Sequence, residues 1–388
     1  MGGCWARGTK AADGNGAGFV GARVYSAAMT DGLDGHGAAW VAARPVITFP
    51  GHEEEATTAV AVTADGRALV VTGGFGETTV RIWDVGAGEP AGWWRPGSDD
   101  AWAITTGVLD GRPVVVTGGY GGVIEVRDPA GGRLIRAIEV KGHPGITDID
   151  DLAEDLWYPG GIHVNALATA VLDGQPVVIF TVHTDDSGTG VCQDFPVAGI
   201  HDLATGRQTG EIATGHSGAV HLATTVLDGR PVLITASSAD PAVRVWDLTT
   251  GGRLGAGLTG NTAGVTVVTT ALLDDGPVVV TGGYDGTVRR WDLRTGLPLG
   301  KPLTGRSPRW VQDLAVVEAH GRPIVAALMD ENTVHLWDLT TGEPAADPIT
   351  ASGVGALAAT TAGGRPVAVT VMADTTVQVW DLAARLRA

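Results

Sequence analysis

Two cysteines in 388 residues, Cys4 and Cys192, are too few for a disulfide framework, which fits a reducing, cytoplasmic compartment. No stretch approaches the roughly 18 apolar residues of a membrane-spanning helix. The opening MGGCWARGTKAADGNGAGFVGARVYSAAM holds no apolar run of secretory-leader length, and Ala6 stands where N-myristoylation would want Ser or Thr. Positive charge is scarce: 26 Lys and Arg face 43 Asp and Glu, a net charge of −17. A duplex-binding protein presents a basic face to phosphates, so nucleic acid is not an expected partner. Only three residues are lysine, none in a Gly-Lys-Ser/Thr, so a Walker-type phosphate loop is excluded. Three lysines against 23 arginines, with abundant Ala and Gly, match the usage of a GC-rich bacterial source. Aromatics are sparse at 5%, yet 12 of the 21 are tryptophan, so tryptophan has a particular use.

Motifs for linear catalytic sites are also missing. There is no GxSxG, and His52-Glu53-Glu54-Glu55 lacks the second histidine of HExxH. The glycine-rich TGGFG and TGGYGG precede no helical pattern, the context a dinucleotide site requires. The chain therefore reads as non-catalytic, without cofactor or metal, although residues converging from several repeats would leave no linear motif.

What is abundant is glycine, at 59 residues, and a repeat. A signature ending in Asp recurs as IWD at Asp84, VRD at Asp128, IHD at Asp202, VWD at Asp247, RWD at Asp292, LWD at Asp338 and VWD at Asp381. The intervals are 44, 74, 45, 45, 46 and 43 residues, so all but one are regular. Within each unit, alternating or β-branched runs flank two-residue turns such as Asp110-Gly111, where positive φ at both positions makes a tight hairpin. Further turns at Asp285-Gly286 and Thr295-Gly296 divide a unit into four strands, the last of them LPLGKPLTG in the fifth unit. Seven such units predict an all-β fold, a seven-bladed β-propeller of four-stranded antiparallel blades.

Across residues 44–382 the pattern resembles the WD-repeat family, with Gly-His before the innermost strand and Trp-Asp closing the third. Gly-His occurs at His52, His143 and His216, replaced by Asn261, Arg306 and Ser352 elsewhere. The resemblance implies a buried tetrad of that His, a second-strand Ser or Thr, a turn Asp and the Trp. Blade 4 has the full set, His216, Thr235, Asp240 and Trp246; blade 1 has His52, Thr72 and Trp83 with Glu77 for the Asp. Blades 2 and 3 carry Arg127 and His201 in the Trp position, and the expectation is that blade 2 holds no buried polar network. The family closes its ring by pairing the two chain ends, and this sequence offers the means independently. Trp380-Asp381 is followed by no outer strand, whereas RPVITF at 44–49 has the position of one. The expected organisation is a flexible Gly/Ala-rich segment at 1–40 and a propeller over 41–388, its ring closed by the N-terminal strand.

The long interval places two insertions in blade 3, at 142–161 and 184–195. In an antiparallel meander, the connection into the first strand and that between the second and third emerge at the same end. Both insertions therefore rise from one face, and loops on a rigid scaffold are where function concentrates. They carry Asp148, Asp150, Asp151, Glu154, Asp155, Asp185, Asp186 and Asp194, with Trp157 and Tyr158 among them. Trp157 either anchors a partner or packs the insertion onto the ring. A calcium loop counted from Asp148 fails, since Ala153 and Pro159 replace its Gly and Glu. His163, His183, Asp185 and Cys192 have no linear spacing typical of a transition-metal site. The same face carries Trp102 and Trp310 at inner-strand starts, where exposed indoles would suit a partner's apolar contact.

The reading is a protein–protein interaction scaffold or regulatory module, monomeric, binding proteins and basic ones among them, with neither nucleic acid nor membrane involved. Its partner-binding candidates are Trp102, Trp157, Tyr158, Asp185, Asp186, Asp194 and Trp310. The alternative is a small-molecule enzyme or binder at the channel mouth beneath the blade 3 lobe, using His163, His183 and Asp185.

Overall fold

In the computed structural model the described residues are 45–49, 52, 56–74, 79–97, 100–140, 162–186, 191–305, 309–329, 333–351 and 353–386, with 184–186 and 191–195 as strand backbone. Among them the strands pair into seven four-stranded antiparallel sheets, each taking four successive strands from the channel outward except the sheet that closes the ring. Residues 1–40, the insertion at 142–161, and with it Trp157 and Tyr158, lie outside the described residues.

Each blade's second strand lies inside its own sheet and is covered on both faces by neighbouring blades. Such a strand needs continuous apolar sequence rather than alternation. Leu69-Val70-Val71, Val114-Val115-Val116, Val232-Leu233-Ile234 and Val278-Val279-Val280 are all buried. Burying one such side chain contributes roughly 1.5–3 kcal/mol, so these strands make the core. Tight hairpins join inner to second strands: Asp65, Asp110, Asp173 and Asp228 have φ near +50°, each followed by a glycine with φ of +72° to +79°. His320 takes the same conformation in blade 6 at φ +53°. Outer strands are weaker. In blade 5 only Leu303–Thr304 pairs as a strand, with a single bridge at Pro298, because two prolines lack donors and Gly300 turns at φ +76°.

The ring closes in blade 7. Ile47, Thr48 and Phe49 lie opposite Val379, Gln378 and Val377, and the Val46 amide donates to the Val379 carbonyl at 2.7 Å. Phe49 is fully buried and tilts against Trp83 of blade 1 at 5.0 Å, joining the last blade to the first. No helix among the described residues is long and apolar enough to cross a membrane.

Indole N–H groups hold second and third strands together within blades. Trp83, Trp246, Trp291 and Trp380 donate to Thr72, Thr235, Thr281 and Thr370 at 2.8–3.0 Å. In blade 4 His216 Nε2 lies 3.0 Å from the Thr235 hydroxyl and Nδ1 lies 3.3 Å from Asp240. Arg244 joins this group, bonded to His216 Nδ1 and, at 2.7 Å, to Asp240. Burial, then the Arg244 charge, holds His216 below the ordinary histidine range. In blade 5 Asn261 replaces the histidine and accepts from the Thr281 hydroxyl at 3.3 Å.

Blade 2 overturns the expectation that it lacks a buried polar network. Arg127 Nε donates to Glu125 at 2.9 Å, its Nη1 donates to the Gly132 carbonyl at 2.8 Å, and its guanidinium lies over Trp94. Glu125, 4% exposed, also accepts the Gly97 amide at 2.9 Å. An ion pair fills the place of the indole, which no Trp-based pattern could reveal.

Candidate functional site

Inner strands begin at one end of the ring, where the turns between second and third strands also lie; we term this the upper face. Blade 3 extends furthest there. Its second and third strands, Gln175–Asp186 and Val191–Asp202, are the longest in the described chain. The segment expected as a loop at 184–195 is mostly a continuation of this hairpin, with Thr184, Asp185 and Asp186 opposite Gln193, Cys192 and Val191. Backbone pairing outcompetes the turn preference of its polar residues as far as Asp186 and Val191.

Four rings gather at the hairpin's base. His163 lies opposite His183 on the neighbouring strand, and their rings stack 4.7 Å apart at 20°. Trp102, from the start of blade 2, stacks on His183 at 5.5 Å and donates its indole N–H to the Val164 carbonyl at 2.5 Å. Tyr120 meets His163 edge-on at 4.0 Å and Trp102 at 5.2 Å. The glycines of TGGYGG make this approach possible. A Cβ on Gly118 would sit 2.7 Å from Val164, and one on Gly119 would sit 2.4 Å from the Asp100 carbonyl. Asp100 in turn accepts the Tyr120 amide at 3.0 Å.

His163 is 1% exposed, and neither of its ring nitrogens has a hydrogen-bond partner among the described residues. Burial, then the neighbouring His183, lowers its pKa to about 4, so the ring is neutral at neutral pH. A neutral imidazole still carries one N–H, and leaving that donor buried and unpaired costs about 1–3 kcal/mol.

The candidates divide on this geometry. Trp102, His163 and His183 come together. Asp185 and Asp194 belong to the same hairpin by register, Asp194 directly opposite His183, and Asp186 lies one step beyond Asp185. Trp310 is elsewhere on the upper face, 41% exposed and 5.8 Å from Tyr284 of blade 5. Trp102 is half-buried with its N–H engaged, so it is a wall of the cluster rather than a free indole. No group of three His, Cys, Asp or Glu side chains among the described residues is placed to hold a metal ion. The basic residues of blades 5 and 6 do not form one patch: Arg290 is buried and donates to the Leu339 carbonyl at 2.6 Å, while Arg294 pairs with Asp228.

Sequence reasoning missed Tyr120 and Asp100. The signal for Tyr120 was present, since Phe75, Tyr120 and Tyr284 share one place in TGGFG, TGGYGG and TGGYDG.

A family model described as WD domain, G-beta repeat matches residues 43–84 and 252–292. Each match begins ahead of a blade's inner strand and ends on the Asp of its third strand, Asp84 or Asp292. None of the curated proteins compared with the chain matches it.

Proposed function

We propose that this chain, a WD-repeat β-propeller by its repeat matches and its seven four-stranded blades, holds protein partners on its upper face at the blade 3 hairpin. WD-repeat propellers are typically protein-interaction scaffolds. The choice of face rests on one observation: the Trp102–Tyr120–His163–His183 cluster lies at the base of the longest hairpin. Rings locked against one another lose little side-chain entropy on binding, and aromatic anchors dominate interface energetics. The hairpin and the neighbouring insertion supply carboxylates that would attract a basic partner and set its orientation. The test is a pull-down from the native host with the protein and with a variant lacking 184–195 and carrying Trp157→Ala. Partners retained by both would place docking elsewhere.

A second reading, a small-molecule binder or enzyme, draws on the two unpartnered nitrogens of buried His163. Here His163, His183 and Asp185 would contact a ligand beneath the insertions. His163→Gln would then abolish turnover or ligand binding while protein capture continued. Capture lost with that substitution and no turnover found would favour the scaffold.

A further inference from the structure

The opposite, lower end of the channel carries a patch that the upper-face reading does not use. The next-to-last residue of each inner strand faces this mouth, and in blades 2 to 5 it is aliphatic: Val108, Val171, Val226 and Leu272, exposed by 54, 58, 57 and 77%. Blades 6, 7 and 1 place Glu318, Thr361 and Thr63 there instead. Apolar character is therefore confined to four consecutive blades and is no general requirement of the strand end. Single exposed aliphatics are ordinary, but a contiguous set marks an interaction surface.

A hydroxyl ladder makes the set contiguous. Thr106, Thr169, Thr224 and Thr270 each precede one of the four aliphatics by two residues, hence share its side of the strand. The Thr169 hydroxyl donates to the Thr106 carbonyl at 2.6 Å, Thr224 to Thr169 at 2.7 Å, and Thr270 to Thr224 at 3.0 Å. Val316, Ala359 and Ala61 occupy those places in the other three blades and have no hydroxyl to give. A cavity of about 440 Å³ opens beside the arc, with Thr106, Val108, Thr169 and Val171 in its wall.

The rim says what chemistry would seat there. The hairpins of blades 2 to 5 expose Asp110, Asp173, Asp228, Asp274 and Asp275. Arginines that follow such turns reach outward to the third strand, Arg67 to Asp84, Arg230 to Asp247 and Arg322 to Asp338. Blade 2 keeps Arg112 after its turn, but blade 3 has Gln175 there and blade 5 has Gly276. On the blade 5 side Arg294 pairs with Asp228 at 3.1 Å and donates to the Asp275 carbonyl at 2.8 Å, so the carboxylates offered to a partner are those of Asp110, Asp173, Asp274 and Asp275.

We infer that the lower channel mouth of blades 2 to 5 is a docking surface for a basic, aliphatic-anchored segment of a partner protein. Its leucine-like side chains would enter the arc and cavity, and its lysines or arginines would meet the turn carboxylates. This surface is separate from the upper-face site, so either can fail alone.

The probe is a short fluorescent amphipathic Lys/Leu peptide, compared with its Lys/Ser and Glu/Leu counterparts. The variant is Val108→Thr, Val171→Thr and Val226→Thr together, adopting the residue blades 1 and 7 already carry, with folding checked by thermal melt. Trp93→Ala, at an exposed position of the outer strand of blade 1, is the control. The Lys/Leu peptide should bind the protein and the control alike, about tenfold more weakly the triple variant, and less tightly as salt rises. Its two counterparts should bind the protein at least about tenfold more weakly. No Lys/Leu binding, undiminished binding to a folded triple variant, or equal binding by either counterpart would overturn the proposal. So would a dimer in sedimentation that the threonines dissociate, since the patch would then be a contact between copies of this chain. Should the triple variant not fold, Leu272→Thr alone gives the same comparison.

Discussion

Arg127 shows how one residue exchanges one kind of cohesion for another. Where a blade has Trp and Thr it gains a neutral hydrogen bond inside apolar packing; blade 2 has a guanidinium shared by Glu125, Gly132 and the Trp94 ring. Removing one member of a buried ion pair leaves an uncompensated charge, so Arg127→Ala should cost about 3–5 kcal/mol. Trp246→Ala in blade 4 should cost a similar amount, through the cavity and the stranded Thr235 and His216. The two are separated by the double variant Glu125→Gln with Arg127→Met, which removes both charges and should recover most of the loss. Urea melts of the single and double variants decide this; a double variant no more stable than Arg127→Ala would refute the ion-pair account.

Titration belongs to the same scale. His163 has its pKa lowered to about 4 by burial and by His183, so the unfolded chain takes up this proton first as pH falls. Stability from this group is complete above about 6.5 and lost on acidification toward 4, by at most about 3 kcal/mol. His221, also lowered to about 4 by burial and then by His216, acts in the same sense. Asp313 acts in the opposite one. It accepts the Leu357 and Leu314 amides, but burial raises it to about 6, so its contribution is present at low pH and lost as pH rises through 6. Stability measured from pH 4 to 8 should therefore lose part of its acid-side fall in His163→Phe. In Asp313→Asn the opposing fall with rising pH between about 4 and 6 should disappear, so the loss of stability on acidification should steepen. An unchanged pH profile in either variant would remove that group from the account.

At the scale of elements, the closing strand joins the ring through three residue pairs and one buried side chain, Phe49. Deleting residues 1–52 should expose the edge of Val377–Asp381 and lower the melting temperature, with association at high concentration. A monomer of unchanged melting temperature would contradict the closure. The need for such a strand was legible because six units carry a turn and a further strand after the signature Asp and the seventh does not. Blade number, hairpin positions and the tryptophan sites were legible for a related reason: each depends on residues close in sequence, repeated in phase. The blade 3 cluster was not. His163 and His183 meet through a register set between two strands, and Trp102 joins them from the preceding blade. Nor does linear spacing show that Asp194 lies opposite His183, because 184–195 reads as a polar loop when it is mostly paired strand. Arg127 was missed for a different reason, since a lost Trp suggests a lost network only while its replacement is considered alone.

At the scale of the whole molecule, two aromatic groups among the described residues lie on different parts of the upper face, the blade 3 cluster and the Tyr284–Trp310 pair. They differ in what holds them. Trp102 is tied to blade 3 by its indole N–H, so truncating it disturbs the fold as well as any interface. Trp310 is 41% exposed and rests on Tyr284, itself 53% exposed. Trp310→Ala should therefore change stability by no more than about 0.5 kcal/mol, which makes it the cleaner probe of docking. For a partner that spans the upper face, the same substitution should cost about 2 kcal/mol or more of binding, seen mainly as faster dissociation. Asp185→Asn with Asp186→Asn should instead slow association and reduce its decline with salt beyond about 0.15 M, because a net charge of −17 leaves attraction of basic partners to long-range fields. Surface-binding kinetics across a salt series separate these effects. If Trp310→Ala leaves both rates unchanged while the aspartate pair alters association, docking is confined to blade 3. If neither alters either rate, the partner does not use the upper face.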